Sequence, residues 1–285
     1  MKGKNMIIDV HPHIISDDTV KYPITPLGNK RSKWSEARGS MTAEKLIEAM
    51  KAAGVDKAVV VHSTTTYGYN CNYLADSVAK YPDILQGVGC VDFLANDAVE
   101  KLNYWINERG LIGIRLFSGG GTSSAQASWI IDPKTFPAWD WAQETQTPIV
   151  LQLRGPSLST LRELMNKYPH LNLLLDHASS PNLEDGYPYA DLDAVRALAD
   201  YPSLVLKVTT KNLRDAAKGK STPQDFMRAL REAFGADRLL WASNFPSSDG
   251  TLTEHVQMAL NACSEFSEKD RDAFMGNNAK RIYHL

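Results

Sequence analysis

The chain predicts a single closed (β/α)8 TIM barrel, an α/β fold. Three observations carry that reading. Eight short apolar segments recur from end to end, most of them followed by a helix-like stretch. Near-continuous apolar strands are expected where a parallel sheet is buried on both faces. The 285 residues suffice for eight such units, and no composition shift marks a linker, so one domain over residues 1–285 is expected. An open doubly wound sheet is the alternative. It loses support because no Gly-x-Gly-x-x-Gly turn follows the first strand.

The elements follow in order. Met6, Ile7 and Ile8 lead through Asp9 to Val10 as the first strand, which stops at His11, Pro12 and His13. Residues 14–39 form a long polar connection with Pro23, Pro26 and Gly28. Loops of that length are usually functional or disordered. Tyr22, Trp34 and Arg38 give this one groups able to cover a site. Thr42 precedes an amphipathic helix over 43–53, with Gly54 as its C-cap.

Strand two spans 57–62. A Thr-, Tyr-, Gly- and Asn-rich loop over 63–72 leads to a helix at 73–81, stopped by Pro82. Strand three covers 85–91, and a helix over 97–109 ends at Gly110. Strand four covers 111–116, followed by a glycine-rich loop at 118–128 and a helix at 136–145. Strand five covers 148–153, and a helix over 157–168 has Ser157 as N-cap candidate. Strand six covers 172–177, with a helix at 192–201. Strand seven covers 204–208. Its helix starts at Thr222, with Pro223 in the first turn, and ends at Gly235. Strand eight covers 238–243, and helical stretches at 253–263 and 268–274 follow.

Composition narrows the function classes. Hydrophobic content is 43%, charged content 22% and net charge -2, as in an ordinary globular protein. That balance offers no bulk attraction for nucleic acid or membrane. No apolar run is long enough to span a bilayer, and the first five residues lack the apolar segment of a secretory signal. Cys71, Cys90 and Cys263 are odd in number and far apart, which suggests free thiols in a reducing compartment. The expectation is a cytoplasmic protein.

In such a barrel the C-terminal ends of the strands make the site. Those ends carry His11 and His13, then His62, Arg115, Gln152 with Arg154, His177, Lys207 and Asn244. A barrel closes these scattered, mostly basic residues into one ring. His11 and His13 are two apart, so extended chain points both to one side. Paired imidazoles suit zinc and its neighbours, or a small anionic substrate.

Each residue also has a structural alternative. His177 could be a satisfied core histidine, and His62 equally so. Arg115 and Arg154 could make rim ion pairs or capture a substrate carboxylate. Lys207 is either a substrate contact or half of an ion pair, for example with Asp176, because burying it alone is costly. Tyr67 and Tyr69 contact substrate or pack the rim. His170, His255 and His284 lie away from strand ends.

The pattern resembles a known family. Ile8 to His13 resembles an opening His-x-His motif, Gly113 to Arg115 a fourth-strand arginine, and Asp176 with His177 a sixth-strand histidine. Leu240 to Pro246 and Asn277 to Tyr283 resemble an eighth-strand motif and a closing helix. Together they resemble the amidohydrolase superfamily, in its amidohydrolase-related branch of metal-dependent TIM-barrel hydrolases. Two positions depart from the family pattern. Asn244 stands where an aspartate usually binds metal and takes a proton from water. Gln152 stands where many members have a metal-binding histidine. With Asp176 and His177, Gln152 is closest in pattern to the group containing 2-pyrone-4,6-dicarboxylate lactonase, whose members can work without metal.

The resemblance implies a hydrolase that opens a small, anionic, lactone-like ring with activated water. One divalent metal, zinc foremost, would sit on His11, His13 and His177; metal-free operation is the alternative. Arg115, Gln152, Arg154, Tyr67 and Lys207 would bind substrate. Asn244 cannot act as a base near neutral pH. His177 is then the better base, with Asp249 a weaker candidate that also reads as a turn residue. A lyase (decarboxylase or hydratase) fits the same arginines, and a non-catalytic binding protein that lost its base at Asn244 is the third reading. A homo-oligomer is compatible with a barrel of this size.

Overall fold

The computed structural model describes residues 5–117, 129–155 and 157–285; the loop expected over 118–128 lies outside the described residues. Eight strands form one sheet in sequential order, and each paired neighbour is parallel. They are β1 (Ile8–Asp9), β2 (Lys57–Val61), β3 (Leu85–Gly89), β4 (Gly113–Phe117), β5 (Ile149–Gln152), β6 (Leu173–Leu175), β7 (Leu204–Thr209) and β8 (Leu239–Ala242). Helices lie between them, so the expected (β/α)8 barrel is the observed one. Among the described residues no helix is long and apolar enough to cross a membrane.

The apolar runs are continuous because alternate residues serve two cores. Ile8, Val10, Val59, Val61, Val150, Leu174 and Leu240 fill the barrel interior, together with Ala279, Ile282 and Tyr283 of the last helix, Asn278–Tyr283. That helix closes the mouth at the N-terminal ends of the strands. Val60, Leu116, Leu151, Leu175, Leu206 and Trp241 face outward onto the helices. Each such buried side chain contributes about 1.5–3 kcal/mol. The interior is therefore filled at one end and left to polar side chains at the other.

The seam between β8 and β1 is nearly closed. Val10 N donates to Trp241 O (3.4 Å) and His13 N to Phe245 O (2.8 Å). The buried Asp9 carboxylate supplies the rest: Oδ1 accepts from Ser243 N (2.9 Å) and His11 N (3.1 Å). Burial, the largest influence on Asp9, raises its pKa. The ends of β1 and β8 are thus fixed together where the candidate site lies.

Several elements depart from expectation. The helix expected over 97–109 is Ala98–Asn103 followed by a π-helical turn, Tyr104–Glu108. The one expected over 192–201 shrinks to Asp193–Arg196. A helix not expected, Thr210–Ala216, starts directly after β7, where Thr209 and Asn212 form a capping box.

Candidate active site

At the base of the polar end lies a buried carboxylate, Asp176, directly after β6. Its Oδ1 is 3.1 Å from Lys207 Nζ and 3.1 Å from His11 Nδ1, and its Oδ2 is 2.6 Å from Arg115 Nε. The partners come from β7, the end of β1 and β4, so the hub ties four sectors of the barrel. Burial is the strongest single influence on Asp176 and raises its pKa. His11, Lys207 and Arg115 together outweigh it and hold the group well below the usual carboxylate range. Arg115 also donates to Gln152 Oε1 (3.0 Å), which fixes its guanidinium.

Above the hub stand three imidazoles. His13 Nδ1 is 2.8 Å from Val61 O, an acceptor, so that nitrogen carries the proton. His177 Nδ1 is 3.0 Å from Thr209 Oγ1. The Thr209 hydroxyl donates to Asn212 Oδ1 (2.8 Å), so its oxygen is left to accept from His177. His11 Nδ1 faces the Asp176 carboxylate. The Nε2 lone pairs of all three rings are therefore left over. The His11 ring is 5.0 Å from that of His13 and 5.0 Å from that of His177. Burial lowers all three pKa values: His13 to about 3, His177 to about 4, and His11 well below its ordinary value. The rings are neutral at neutral pH, the form that can ligate a metal.

The donors fit a divalent ion. His11 Nε2 is buried without a hydrogen-bond partner. Among the described residues, the group with ligand atoms within 4.8 Å of one another is His11, Asp176 and His177; His13 is not part of it. Each of the three histidines has its Nδ1 directed to an oxygen, as is usual of metal-binding imidazoles.

The chain after β6 is bent to aim His177. His177, Ala178, Ser179 and Ser180 all have positive φ (55°, 44°, 65° and 51°). That conformation costs L-residues about 1–2 kcal/mol each and must be held from outside. Asn212 Nδ2 donates to His177 O (2.7 Å), Ser180 N to His177 O (2.7 Å) and Ser179 Oγ to Leu153 O (3.1 Å). Asn244 is also left-handed (φ 56°). Its Nδ2 donates to Ser248 Oγ (3.1 Å), leaving Oδ1 as an acceptor.

These residues open into a cavity of about 220 Å³. Its cations are Arg115, Arg154 and Lys211, and its imidazoles are His13, His62 and His177. Gln152 and Asn244 supply amides. Hydroxyls come from Ser32, Ser63, Thr64, Thr65, Ser180 and Ser247, and Trp34 supplies the one carbocyclic ring. Among the described lining residues none is acidic, so the cavity favours an anion.

Of the residues expected from sequence, His13, His177, Arg115, Gln152, Arg154 and Asn244 line the cavity. His11 lies beneath it, fully buried. Lys207 is also fully buried and takes the ion-pair role with Asp176, not the position of a substrate contact. Tyr67, expected as a substrate contact, is buried, its hydroxyl accepts from Ser16 N (2.8 Å), and it is not among the described residues that line the cavity. Burial pushes its pKa up to about 12. Asp249 projects outward and pairs with Arg38 (2.6 Å). Tyr22 turns away to donate to Asp76 Oδ2 (2.7 Å).

Sequence reasoning offered Asp176 as a partner for Lys207 but missed its contacts with His11 and Arg115, although an acid ending a leucine-rich strand must find partners. Trp34 stacks on His13 (5.3 Å between centroids, 23° between planes), and Lys211 was not flagged at all. Trp34 was one of the groups of the long first loop named as able to cover a site.

Known proteins resemble this chain along most of its length. The amidohydrolase family model Amidohydro_2 matches residues 8–285. The L-fucono-1,5-lactonase of Burkholderia ambifaria is 26% identical over 240 residues, 82% of this chain and 81% of that protein. A zinc-bound amidohydrolase from Burkholderia multivorans superposes with a TM-score of 0.77 at 21% identity, covering 98% of this chain and 99% of the other. A putative 2-pyrone-4,6-dicarboxylic acid hydrolase from Pseudomonas putida gives 0.77 at 18% identity, covering 99% and 98%. A 2,6-dihydroxybenzoate decarboxylase complexed with 2,6-dihydroxybenzoate gives 0.71 at 17% identity, covering 99% of each chain. At such identities the structural likeness carries the fold alone.

Proposed function

The chain belongs to the amidohydrolase family and is an enzyme of that type, and from that premise we propose that it opens a small anionic lactone with water. One observation carries the proposal. Three neutral imidazoles with their Nδ1 atoms directed to oxygens stand beside a cavity lined by Arg115, Arg154 and Lys211 and by no described acidic side chain. The lactonase relative supports the lactone part of it.

In this mechanism Arg154 and Lys211 draw in the anion, while Arg115 is held rigid by Asp176 and Gln152. The imidazoles cannot hydrogen-bond a carbonyl through Nε2, because their protons sit on Nδ1. Their lone pairs can ligate a cation or accept a proton. A divalent ion, zinc foremost, held by His11, His13 and His177 would polarise the carbonyl and acidify a water. Asn244 Oδ1 accepts a hydrogen bond from the attacking water and orients it. Where His177 is free of metal, its Nε2 takes the water proton. The acyl C–O bond of the ring then breaks, and the ring oxygen takes up a proton to become a hydroxyl.

The test is a proton-release assay on a panel of small lactones, with metal analysis of protein purified without chelator. Ring opening frees one proton per turnover near neutral pH, so acidification with at least one lactone is expected. A lyase reading is favoured by one observation, the shared fold of the dihydroxybenzoate decarboxylase. Carbon dioxide release from aryl carboxylic acids, with no lactone turned over, would replace the first reading by the second.

A further inference from the structure

The cavity has two chemically different poles, and they define the substrate more narrowly. Arg154 follows β5 and Lys211 follows β7, so they flank His177 at the end of β6. Lys211 pairs with Asp215 on its own helix. No carboxylate among the described residues pairs with Arg154. In an eight-strand ring β2 lies opposite β6, and the lining there changes character. Ser63, Thr64 and Thr65 follow β2, and Ser32 and Trp34 reach in from the loop after β1. Ser32 Oγ and Thr65 Oγ1 are 3.0 Å apart, and each hydroxyl keeps further donor or acceptor capacity.

The lining is also unusual in what it lacks. Ligand pockets are mostly apolar. Among the described residues no aliphatic side chain lines this one, and Trp34, stacked on His13, is its one extended apolar surface. A planar unsaturated ring without hydroxyls would leave the further hydrogen-bonding capacity of Ser32, Ser63 and Thr65 unused. A neutral ring would offer the exposed Arg154 guanidinium no anionic partner. The cavity holds about seven water volumes, taking ~30 Å³ for each. That is room for one small substituted ring.

Resting on the lactonase reading above, we propose that the substrate is the monolactone of a polyhydroxylated dicarboxylic acid. Its free carboxylate lies at the β5–β7 pole on Arg154. Its hydroxyls face Ser32, Ser63 and Thr65, with the C–H face of the ring against Trp34. The reacting carbonyl lies between the poles, at the histidines. Water adds to that carbonyl and the ring ester C–O bond breaks. The product is the open hydroxylated diacid as a dianion, with one proton released.

The experiment measures kcat/KM by proton release for three matched groups of probes. The first is the monolactones of glucaric and galactaric acids. The second is the neutral lactones of gluconic and galactonic acids. The third is 2-pyrone-4,6-dicarboxylate, which carries carboxylates but no hydroxyl. At least one diacid monolactone should exceed every neutral lactone by about 10–100-fold, the yield of one charge-assisted hydrogen bond. It should exceed the pyrone by more. Arg154→Gln, checked for folding by circular dichroism, should lower the diacid-to-neutral ratio by about tenfold or more, mainly through KM. Neutral lactones hydrolysed as well as the diacid ones, the pyrone preferred, or an unchanged ratio in Arg154→Gln would each overturn the proposal and leave a lactonase standing. Failure to hydrolyse any of the three groups would overturn both.

Discussion

Asp176→Asn is the substitution expected to cost the most for the least change in shape. The variant keeps the volume and removes one charge. Lys207 at 3.1 Å and Arg115 at 2.6 Å then stay buried without their anion. At an effective dielectric constant of about 20, each of those contacts is worth roughly 5–6 kcal/mol of attraction. Asp176 no longer has to be desolvated as an anion, which offsets part of the loss. Breaking a buried pair in this way costs about 3–5 kcal/mol net. For 285 residues the unfolding entropy is about 0.6 kcal/mol per degree, so the melting temperature should fall by about 5–8 °C. Thermal and urea unfolding read it out. Adding Lys207→Met should recover part of the loss, since the second change removes one stranded cation. A single variant within about 1 °C of the parent, or a double variant that loses the sum of both changes, would refute the hub as a source of stability.

Four further outcomes are expected. His177→Ala should abolish turnover while the melting temperature stays within a few degrees, because the ring sits at the cavity wall; full activity by steady-state assay would make the histidine structural. Asn244→Asp should tighten divalent-metal binding, measured by isothermal titration, because a carboxylate joins the imidazoles. Asn244→Ala should slow turnover without removing its pH dependence. His62, whose Nε2 lies 2.9 Å from Gly68 O, has its pKa lowered by burial to about 4, against about 6.5 unfolded. A folded pKa below the unfolded one means that its stability contribution is complete above about pH 6.5 and is lost as pH falls toward 4. Between about pH 7.5 and 5 it should cost the parent roughly 2 kcal/mol that His62→Asn does not lose, read as a difference in slope of unfolding free energy against pH. Parallel slopes would contradict the assignment.

How much of this was legible in the sequence differs between fold and site. Leu173, Leu174 and Leu175, or Val59, Val60 and Val61, show a strand buried on both faces without any structure, because both faces of a barrel strand meet apolar neighbours. Strand ends fix which residues share a rim, so His13, His177, Arg115, Gln152, Arg154 and Asn244 could be placed on one cavity. What was hidden depends on contacts distant in sequence. β1 is only Ile8–Asp9 because the Asp9 side chain takes over the pairing to Ser243. The left-handed run from His177 to Ser180 contains no glycine and is imposed by Asn212, on the helix after β7, and by Leu153, just past the end of β5. Tyr67 looked available because tyrosines on loops often are. Its hydroxyl is taken by Ser16, 51 residues away. Lys207 left two roles open, and only the position of Asp176 decides between them.

The central claim is that water opens a lactone at the three imidazoles, and one labelling experiment bears on it most directly. The protein, as purified, is incubated with the lactone panel in water enriched in heavy oxygen, and products are read by mass spectrometry. The account predicts one labelled oxygen in the new carboxylate of the ring-opened acid, no carbon dioxide, and loss of the labelled product in His177→Ala. Unlabelled product, carbon dioxide release, or full labelling by the His177→Ala variant would contradict it.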